Sequence, residues 1–432
     1  MRKIFAISLF NRIFASYNDT KKKSSPMGKI KKTLFLLVST LLFVACSSND
    51  GGESPQPAKR TVIVYMAAEN TLSGNAQSDI NEMIQGVKKI SKYDNLIVFV
   101  DRANSQEKPF LIRLKDDEKQ PADTIHKYNS DFYTSDPENM KEVISRVMTN
   151  YPANDYGLVL WGHGNGWVIM NDSVASRRAI AGDNGGNKVS NNGLWMNIPS
   201  LRTVLAALPH SFKFIFADCC NMQNVEVAYE LRNYTEYYIA SPAGIPGDGA
   251  PYEKIIPDLF LYDDVQMYTK TCDDYYAKTD MEDGHLPISV IRTADLPQLA
   301  SATKGILRDI YEPGTTIDTD GLIYYCTNPD RIFDANEHVM YDMNDFLLRH
   351  AEQEDYQQWL KAFNQAVVYK KMSTKWQVSG TLVFDFEVTE ERFGGVSMFV
   401  PLERYAHTSI KYNEGIKKTA WYYAVGWSEL GW

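Results

Sequence analysis

Cysteine is scarce in this sequence, and its scarcity limits both the fold classes and the metal-binding sites that can be expected. The 432 residues include 5 cysteines, scattered except for the adjacent pair Cys219–Cys220, and none forms a CxxC motif. That pattern excludes a disulfide-rich scaffold and argues against a structural zinc site. The 7 histidines show no HExxH spacing either. No metal ligands are therefore assigned from the sequence.

Other frequent catalytic and binding motifs are also absent. There is no Gly-x-Ser-x-Gly elbow and no Walker loop, and the glycines at 162, 164 and 166 do not fit Gly-x-Gly-x-x-Gly. Nucleotide binding therefore has no support. With 45 basic and 54 acidic residues the net charge is −9, which argues against a nucleic-acid partner. A hydrophobic content of 44% is ample for a large core.

What the sequence does contain is a pair of reactive side chains at predicted strand ends. The apolar run Phe214–Ala217 predicts a buried strand, and it leads into Asp218 and the two cysteines. A second run, Tyr156–Trp161, leads into His163, which has a glycine on each side. A cysteine and a histidine at the ends of neighbouring parallel strands form a plausible nucleophile and base. The helical pattern that follows the cysteines predicts a nearby helix N-terminus, which favours thiolate over thiol.

Strand-like and helix-like segments alternate from about residue 60, so an α/β fold with a parallel, helix-covered sheet is expected. Strands are predicted at 61–66, 95–101, 156–161, 214–217, 238–240, 287–291, 382–386 and 396–400, with a hairpin over 108–127. Helices are predicted at 81–90, 137–151, 198–208, 224–231, 263–278, 294–311, 343–354 and 356–368. Residues 171–193 are polar and predict a long loop, a kind of insertion that is usually functional or mobile.

The N-terminal segment predicts export. A basic stretch, Met27–Lys32, precedes the apolar run Thr33–Ala45, which is too short for a stable membrane span. Residues 1–26 resemble neither a signal nor a fold, so translation from Met27 is an open alternative. Phe43 to Cys46 resembles a bacterial lipobox, with Phe43 as a departure, and this implies cleavage before Cys46 and lipidation of its thiol. An ordinary signal peptide for residues 1–45, followed by a chance cysteine, is the other interpretation.

Residues 46–59 are polar and predict a flexible tether. Its Asn-Asp start is similar to the export tethers of some Gram-negative surface lipoproteins. The expected location is therefore the outer membrane or the cell surface, with the lipid on Cys46 holding the protein to the membrane.

Three sequence blocks carry a specific resemblance. They are Trp161–Trp167 (WGHGNGW), Asp218–Glu230 (DCCNMQNVEVAYE), and Ala240–Pro242 followed by Pro246–Tyr252 (PGDGAPY). In this order and spacing they resemble the clostripain family of cysteine peptidases, in the caspase-like superfamily. The resemblance implies a caspase-like α/β/α sandwich with a mostly parallel central sheet over residues 60–260. Residues 261–432 are then expected to form an α+β elaboration packed on that core.

The same resemblance implies a catalytic site. Cys220 would be the nucleophile and His163 the general base, with the backbone N–H groups of Gly164 and Cys220 binding the oxyanion. The family usually has a small residue where this chain has Cys219. That extra thiol leaves open a decoy role or a vicinal disulfide that blocks activity when it is oxidised.

Substrate preference is expected from two carboxylates. Asp248 and Asp218 match positions that line the pocket for the residue before the cut bond (P1) in the family, whose members cleave after Arg or Lys. A poorly solvated negative charge is what such a pocket requires. The alternatives are that Asp218 caps the following helix and that Asp248 only makes a turn.

Maturation and cofactor are further expectations from the family. Members are often self-cleaved after a basic residue in the linker, which here contains Arg177 and Arg178; a solvated loop with incidental arginines is the alternative. Some members need calcium, but the acidic segment Asp318–Gly321 lacks EF-hand spacing, and no ligands are assigned.

The sequence thus predicts a secreted, lipid-anchored endopeptidase for peptide or protein substrates with Arg or Lys, with its oligomeric state left open. The alternatives are a catalytically silent surface lipoprotein that acts as a binding module, and a peptide ligase that uses the same thioester.

Overall fold

A nine-stranded sheet forms the centre of the structure. This computed structural model describes residues 57–432 except 170–179, 187–188, 190–192, 279–285, 313–314, 328–337, 380–381 and 409. Its strands, in chain order, are β1 (Ala58–Ala68), β2 (Asn95–Arg102), β3 (Phe110–Leu114), β4 (Ala122–Lys127), β5 (Ala153–Trp161), β6 (Ile180–Asp183), β7 (Leu194–Met196), β8 (Phe212–Asp218), β9 (Thr235–Ala240), β10 (Ile288–Arg292), β11 (Tyr341–Asp342), β12 (Val367–Lys371), β13 (Lys375–Ser379), β14 (Leu382–Asp385) and β15 (Ser397–Met398).

The strand order of the main sheet is β12-β10-β9-β8-β5-β1-β2-β3-β4. The five central strands, from β9 to β2, run parallel to one another, and two antiparallel strands flank them on each side. Three two-stranded sheets pair β6 with β7, β11 with β15, and β13 with β14. The carboxyl ends of the five parallel strands therefore meet at one edge, where open α/β sheets bind their ligands.

Helices cover both faces of the sheet. They are α1 (Ser73–Gly86), α2 (Pro137–Asn150), α3 (Ile198–Ala206), α4 (Val225–Leu231), α5 (Tyr252–Leu259), α6 (Asp264–Lys278), α7 (Leu296–Ile310), α8 (Met343–His350), α9 (Gln353–Ala366), α10 (Tyr412–Gly415) and α11 (Ala420–Ala424). Short 3₁₀ turns lie at Val87–Lys89, Thr293–Asp295, Glu403–His407 and Ile416–Lys418. No helix among the described residues is long and apolar enough to cross a membrane.

Two hydrophobic cores lie on opposite faces of the sheet, as the period-two geometry of a strand requires. Along β1, Ile63 and Tyr65 contribute to one core and Val62 and Val64 to the other. The first core also contains residues of α2, α3, α4, α7 and α9, whereas α1, α5 and α6 pack in the second. Because the central strands are buried on both faces, they consist of nearly continuous apolar residues. This three-layer arrangement confirms the predicted fold class.

Some element boundaries differ from the predictions. The helix expected at 81–90 begins eight residues earlier as α1, whose buried positions Ala76, Ile80 and Met83 follow a helical spacing. The helix expected to reach Val368 ends at Ala366, because the β-branched pair Val367–Val368 starts β12 and pairs with β10.

The region expected to be a C-terminal elaboration contributes directly to the main sheet, through β10 and β12. The long polar segment also contains strand structure, since β6 lies inside it and pairs with β7.

Candidate active site

His163 and Cys220 follow the ends of two neighbouring parallel strands. In the β5–β8 pair, Trp161 lies opposite Asp218, and each reactive residue comes two positions later in its own chain segment. Gly162 N donates a hydrogen bond to Asp218 O at 3.4 Å, so the two segments stay paired beyond the strands. The register therefore brings the predicted base and nucleophile to the same edge of the sheet.

Glycine allows the histidine segment to lie directly against the cysteine segment. A Cβ atom added at Gly164 would lie 2.6 Å from the Cys220 carbonyl oxygen and 2.7 Å from Cys219 Cβ. Real Cβ atoms essentially never make such short contacts. Gly162 has a φ of +143°, which side chains rarely adopt. Gly164 thus lies closer to the two cysteines than a residue with a side chain permits.

The two cysteines have different environments. Cys219 is fully buried, and its thiol donates a hydrogen bond to Leu160 O at 3.3 Å. Cys220 is partly exposed, and its Sγ accepts a hydrogen bond from Ile245 N at 3.3 Å. The sulfur facing the sheet edge is therefore that of Cys220, as strand alternation predicts.

The electrostatics of Cys220 correct one expectation. Enclosure by protein raises the pKa of this thiol, although the hydrogen bond from Ile245 acts in the opposite direction, and the charge of Asp218 raises the pKa further. Burial likewise holds the pKa of Cys219 well above its usual value. The nearby helix start is expected to favour thiolate, but burial dominates and the net effect is a raised pKa. A raised pKa disfavours the thiolate, so a base is expected to activate Cys220.

Two residues that the sequence did not single out contact His163. The Thr71 Oγ1 atom lies 2.9 Å from His163 Nε2, and the Trp195 ring stacks on the imidazole with centroids 5.9 Å apart. Thr71 lies in the loop after β1, and Trp195 lies in β7. These contacts fix the plane of the imidazole and engage one of its nitrogens. Thr71 and His163 are 92 residues apart in the sequence, so no local sequence pattern reveals their contact.

Asp218 is fully engaged beneath the glycine-rich loop. Its carboxylate accepts hydrogen bonds from Ala250 N (3.1 Å), Tyr252 Oη (2.7 Å) and Tyr275 Oη (2.6 Å). Burial raises its pKa, while the two tyrosine hydrogen bonds lower it. The helix-cap alternative is wrong, because α4 begins after Asn224 and no side chain caps it. Asp218 instead holds the loop that carries Asp248.

A second carboxyl group, which the sequence analysis missed, lies beside Asp218. A Cβ atom at Gly249 would lie 2.9 Å from Asp218 Oδ2 and 3.4 Å from Asp79 Oδ2, so both groups lie close to this glycine. Trp161 Nε1 donates to Asp79 Oδ2 at 2.6 Å. Burial, followed by the charge of Asp218, raises the pKa of Asp79 to about 8. The site therefore contains a buried, weakly acidic carboxyl group under the loop.

Asp248 lies at the surface of that loop, with 64% of its side chain exposed. Lys278, the last residue of α6, donates hydrogen bonds to Asp248 O (2.9 Å) and Gly249 O (3.1 Å). Its Nζ also lies 3.5 Å from Asp248 Oδ2. The protein's own Lys278 ammonium group is therefore paired with Asp248, the carboxylate that is expected to bind a basic substrate side chain.

Three predicted site residues, Arg177, Arg178 and Cys46, lie outside the described residues. The acidic segment considered for calcium makes a local turn, in which Asp318 Oδ1 accepts a hydrogen bond from Asp320 N at 2.9 Å.

Comparison with known proteins agrees with this architecture. The sequence profile of the clostripain family, peptidase family C11, matches residues 64–432. Clostripain of Hathewaya histolytica is 28% identical over an alignment that covers 46% of this chain and 41% of clostripain. The chain thus aligns with less than half the length of that relative.

Two solved structures resemble the fold over most of the chain. One is a secreted C11 cysteine protease of Bacteroides thetaiotaomicron in complex with an irreversible peptide inhibitor, 30% identical with a TM-score of 0.70. The other is an inactive zymogen C11 protease of Parabacteroides distasonis, 27% identical with a TM-score of 0.70. Each alignment covers 86% of this chain, and 100% and 99% of the respective structures. The chain therefore belongs to the clostripain family of cysteine peptidases.

Proposed function

We propose that this protein is an exported, lipid-anchored endopeptidase that cleaves after Arg or Lys through Cys220 and His163. The observation that carries the proposal is the juxtaposition at the sheet edge. A partly exposed thiol and a histidine follow paired strands, and Gly164 lies directly against the Cys220 backbone. Cys219 is the weaker candidate because its sulfur is buried and directed toward Leu160 O.

The proposed reaction starts from the protonated thiol. His163 takes the proton of Cys220 as the thiolate attacks the carbonyl carbon of the scissile bond. The backbone N–H groups of Gly164 and Cys220 stabilise the oxyanion, and each such donor is typically worth on the order of 100-fold in rate. The C–N bond then breaks, the amine leaves with the proton from His163, and a thioester remains. Water, deprotonated by His163, hydrolyses this thioester and releases the free thiol.

Because the pKa of Cys220 is raised, the proposal gives His163 an active role in every turnover. Its orientation therefore matters. Thr71 and Trp195 hold the imidazole, and Thr71 is accordingly a positioning residue.

For the basic P1 side chain we propose Asp248 as the direct partner. Asp218 supports the loop, since its hydrogen bonds go to Ala250, Tyr252 and Tyr275. Asp248 is 64% exposed and its Oδ2 lies 3.5 Å from Lys278 Nζ, so a bound substrate would have to cover this carboxylate to give the poorly solvated charge that a basic pocket requires. A substrate guanidinium or ammonium group would share Asp248 with Lys278 or displace that lysine.

Maturation by self-cleavage after Arg177 or Arg178, and attachment through lipidated Cys46, complete the proposal. The zymogen state of one structural neighbour supports a processed form. Substituting Arg177 and Arg178 together by Gln should leave one uncut chain. Cys46→Ser should prevent incorporation of labelled fatty acid and release the protein from membranes.

The direct test is hydrolysis of fluorogenic peptides that end in Arg, Lys or Asp, under reducing conditions with calcium present. Cys220→Ala should abolish cleavage after Arg and Lys, while Cys219→Ala serves as the matched control and should stay active. Loss only in Cys219→Ala would reassign the nucleophile. Preference for Asp would refute the basic pocket. No turnover by the processed parent would leave the silent binding module, and product joined to an added amine would indicate a ligase.

A further inference from the structure

Three carboxylates converge at the carboxyl ends of β1 and β2, next to the strand that precedes His163. They belong to Glu69, just after β1, to Asp101 in β2, and to Asp131 in the loop between β4 and α2. One oxygen from each lies within 4.8 Å of the oxygens of the other two. Among the described residues this is the one group of three or more His, Cys, Asp or Glu side chains with such spacing.

Asp101 provides an independent sign that a ligand belongs there. It is 2% exposed, and its Oδ2 has no hydrogen-bond partner among the described residues. Burying a carboxylate without a partner is costly. The neighbouring Asp183 shows that the fold can supply donors, since it accepts hydrogen bonds from Thr134 Oγ1 at 2.7 Å and from Gly185 N at 2.8 Å. A cation would satisfy Asp101 Oδ2, for which the described residues supply no donor.

We propose that Glu69, Asp101 and Asp131 bind a calcium ion. The set offers only oxygen ligands, and it carries three negative charges when all three carboxyl groups are ionised. Calcium binds six to eight oxygens at about 2.3–2.6 Å, so two oxygens on opposite sides of the ion lie at most about 5 Å apart. The observed spacing fits this range. Magnesium usually uses one or two carboxylates and retains its waters, whereas zinc favours nitrogen and sulfur ligands.

Two of the proposed calcium ligands also hold a neighbouring segment of the chain through hydrogen bonds. Glu69 O accepts a hydrogen bond from Asn184 Nδ2 at 2.9 Å, and Asp131 Oδ2 accepts one from Gly186 N at 3.1 Å. Both donors lie in the C-terminal part of the long linker, residues 171–193. Glu69 also lies two residues before Thr71, the partner of His163. Bound calcium would join the C-terminal part of the linker to the loop that orients the imidazole; this last step rests on the proposed function, whereas calcium binding itself does not.

Calcium binding can be tested without any peptidase activity. The protein carrying Cys220→Ala is treated with chelator, dialysed, and titrated with calcium chloride by calorimetry. We expect one calcium per chain, with affinity at least tenfold weaker in Asp101→Asn and in Asp131→Asn. Asp116→Asn, at an exposed position between β3 and β4, is the matched control and should bind as the parent does. No binding, equal affinity in Asp101→Asn, or tighter binding of magnesium than of calcium would overturn the site.

Thermal unfolding of the same proteins separates a ligand role from a packing role. In chelator, Asp101→Asn should unfold at a temperature no lower than the parent, because it removes a buried carboxylate that lacks a donor. In calcium the parent should gain stability and Asp101→Asn should not, because only the ion-binding form is stabilised by mass action. If Asp101→Asn is strongly destabilised in chelator, Asp101 has a structural role in the calcium-free protein and the proposal fails.

Discussion

Substituting Gly164 by alanine perturbs the contact between the two catalytic segments without removing any functional group. Its φ lies outside the left-handed region, so alanine is allowed on backbone grounds. The new Cβ would nevertheless lie 2.6 Å from the Cys220 carbonyl oxygen, whereas ordinary contact begins near 3.4 Å. The segments carrying His163 and Cys220 must therefore separate by about 0.8 Å.

That displacement sets the expected effect. A misplacement of roughly 1 Å between reacting groups can cost about 100-fold in rate. We expect kcat/KM to fall by about 30- to 100-fold, which corresponds to about 2–2.7 kcal/mol of transition-state stabilisation. Overpacking of this kind costs about 1–3 kcal/mol of folding stability, so the protein should still fold.

The assay compares kcat/KM on an Arg-ending fluorogenic peptide with the melting temperature of each protein. Gly305→Ala is the matched control, because nothing lies within 4 Å of its added Cβ and the residue is exposed on α7. It should retain full activity and gain about 0.5–1 kcal/mol of stability. If Gly164→Ala keeps activity within about threefold of the parent (an effect of under about 0.7 kcal/mol), the close approach of the two segments is not what positions the base and nucleophile.

Three further predictions concern residues around this contact. Lys278→Met should lower KM for Arg and Lys peptides by about 1.5- to 5-fold, because it removes a competing ion pair with Asp248, and exposed pairs are worth about 0.2–1 kcal/mol. Lys270→Met on the same helix is the control, and an unchanged or higher KM in Lys278→Met would contradict the prediction. Thr71→Val should lower kcat by about 2- to 13-fold, because it loses one hydrogen bond to His163, worth about 0.5–1.5 kcal/mol. Thr71→Ser should keep most of the parent's kcat, and equal losses in both variants would argue against a role for the hydroxyl group. Asp79 has a pKa raised from 3.8 to about 8 by burial, so the folded protein binds this proton more tightly than the unfolded chain, and stability should fall as pH rises from about 4 to 8. Asp79→Asn should therefore lose less melting temperature between pH 5 and pH 9 than the parent, and parallel curves would exclude this group as the cause.

The strands that position the proposed nucleophile and base are predictable because they are buried on both faces. Continuous apolar runs such as Phe214–Ala217 and Tyr156–Trp161 admit few interpretations when polar residues and glycine follow immediately. The fold class was predicted from such runs, the peptidase family was predicted from the resemblance of three sequence blocks, and both are confirmed. The roles of individual site residues remain predictions.

Contacts between distant segments could not be predicted in the same way. Thr71, Asp79 and Lys278 reach the site from 92, 82 and 30 residues away in sequence. A period-two pattern tells which face a side chain occupies, but the neighbour of each strand depends on the complete sheet order. Lys278 illustrates the limit, because a lysine at the end of an amphipathic helix looks like any solvated residue.

Local rules also failed where two physical effects compete. The helix start after Cys220 favours thiolate, but the pKa of the thiol depends more on how far the protein encloses the sulfur, which the sequence does not reveal. Polar residues around Ser73 and Gly74 concealed the first turns of α1, although its buried positions keep a regular helical spacing. In both cases tertiary burial decided the outcome.

The linker lies in the sequence between strands that belong to one sheet, and this has a consequence for the protein after cleavage. Strands β1 to β5 precede the linker, residues 171–193, and β8, β9, β10 and β12 follow it, so one sheet is assembled from both sides of the linker. The β5–β8 pairing, the bridge between Gly164 and Ile180, and the hydrogen bond from Asn70 Nδ2 to Gly182 O at 2.7 Å all join residues before 170 to residues after 179. Cleavage between 170 and 179 would therefore yield two polypeptides on a denaturing gel and a single heterodimer in solution. The covalent bond in the linker would be dispensable for holding the particle together, and either fragment expressed alone would present an unpaired sheet edge prone to aggregation.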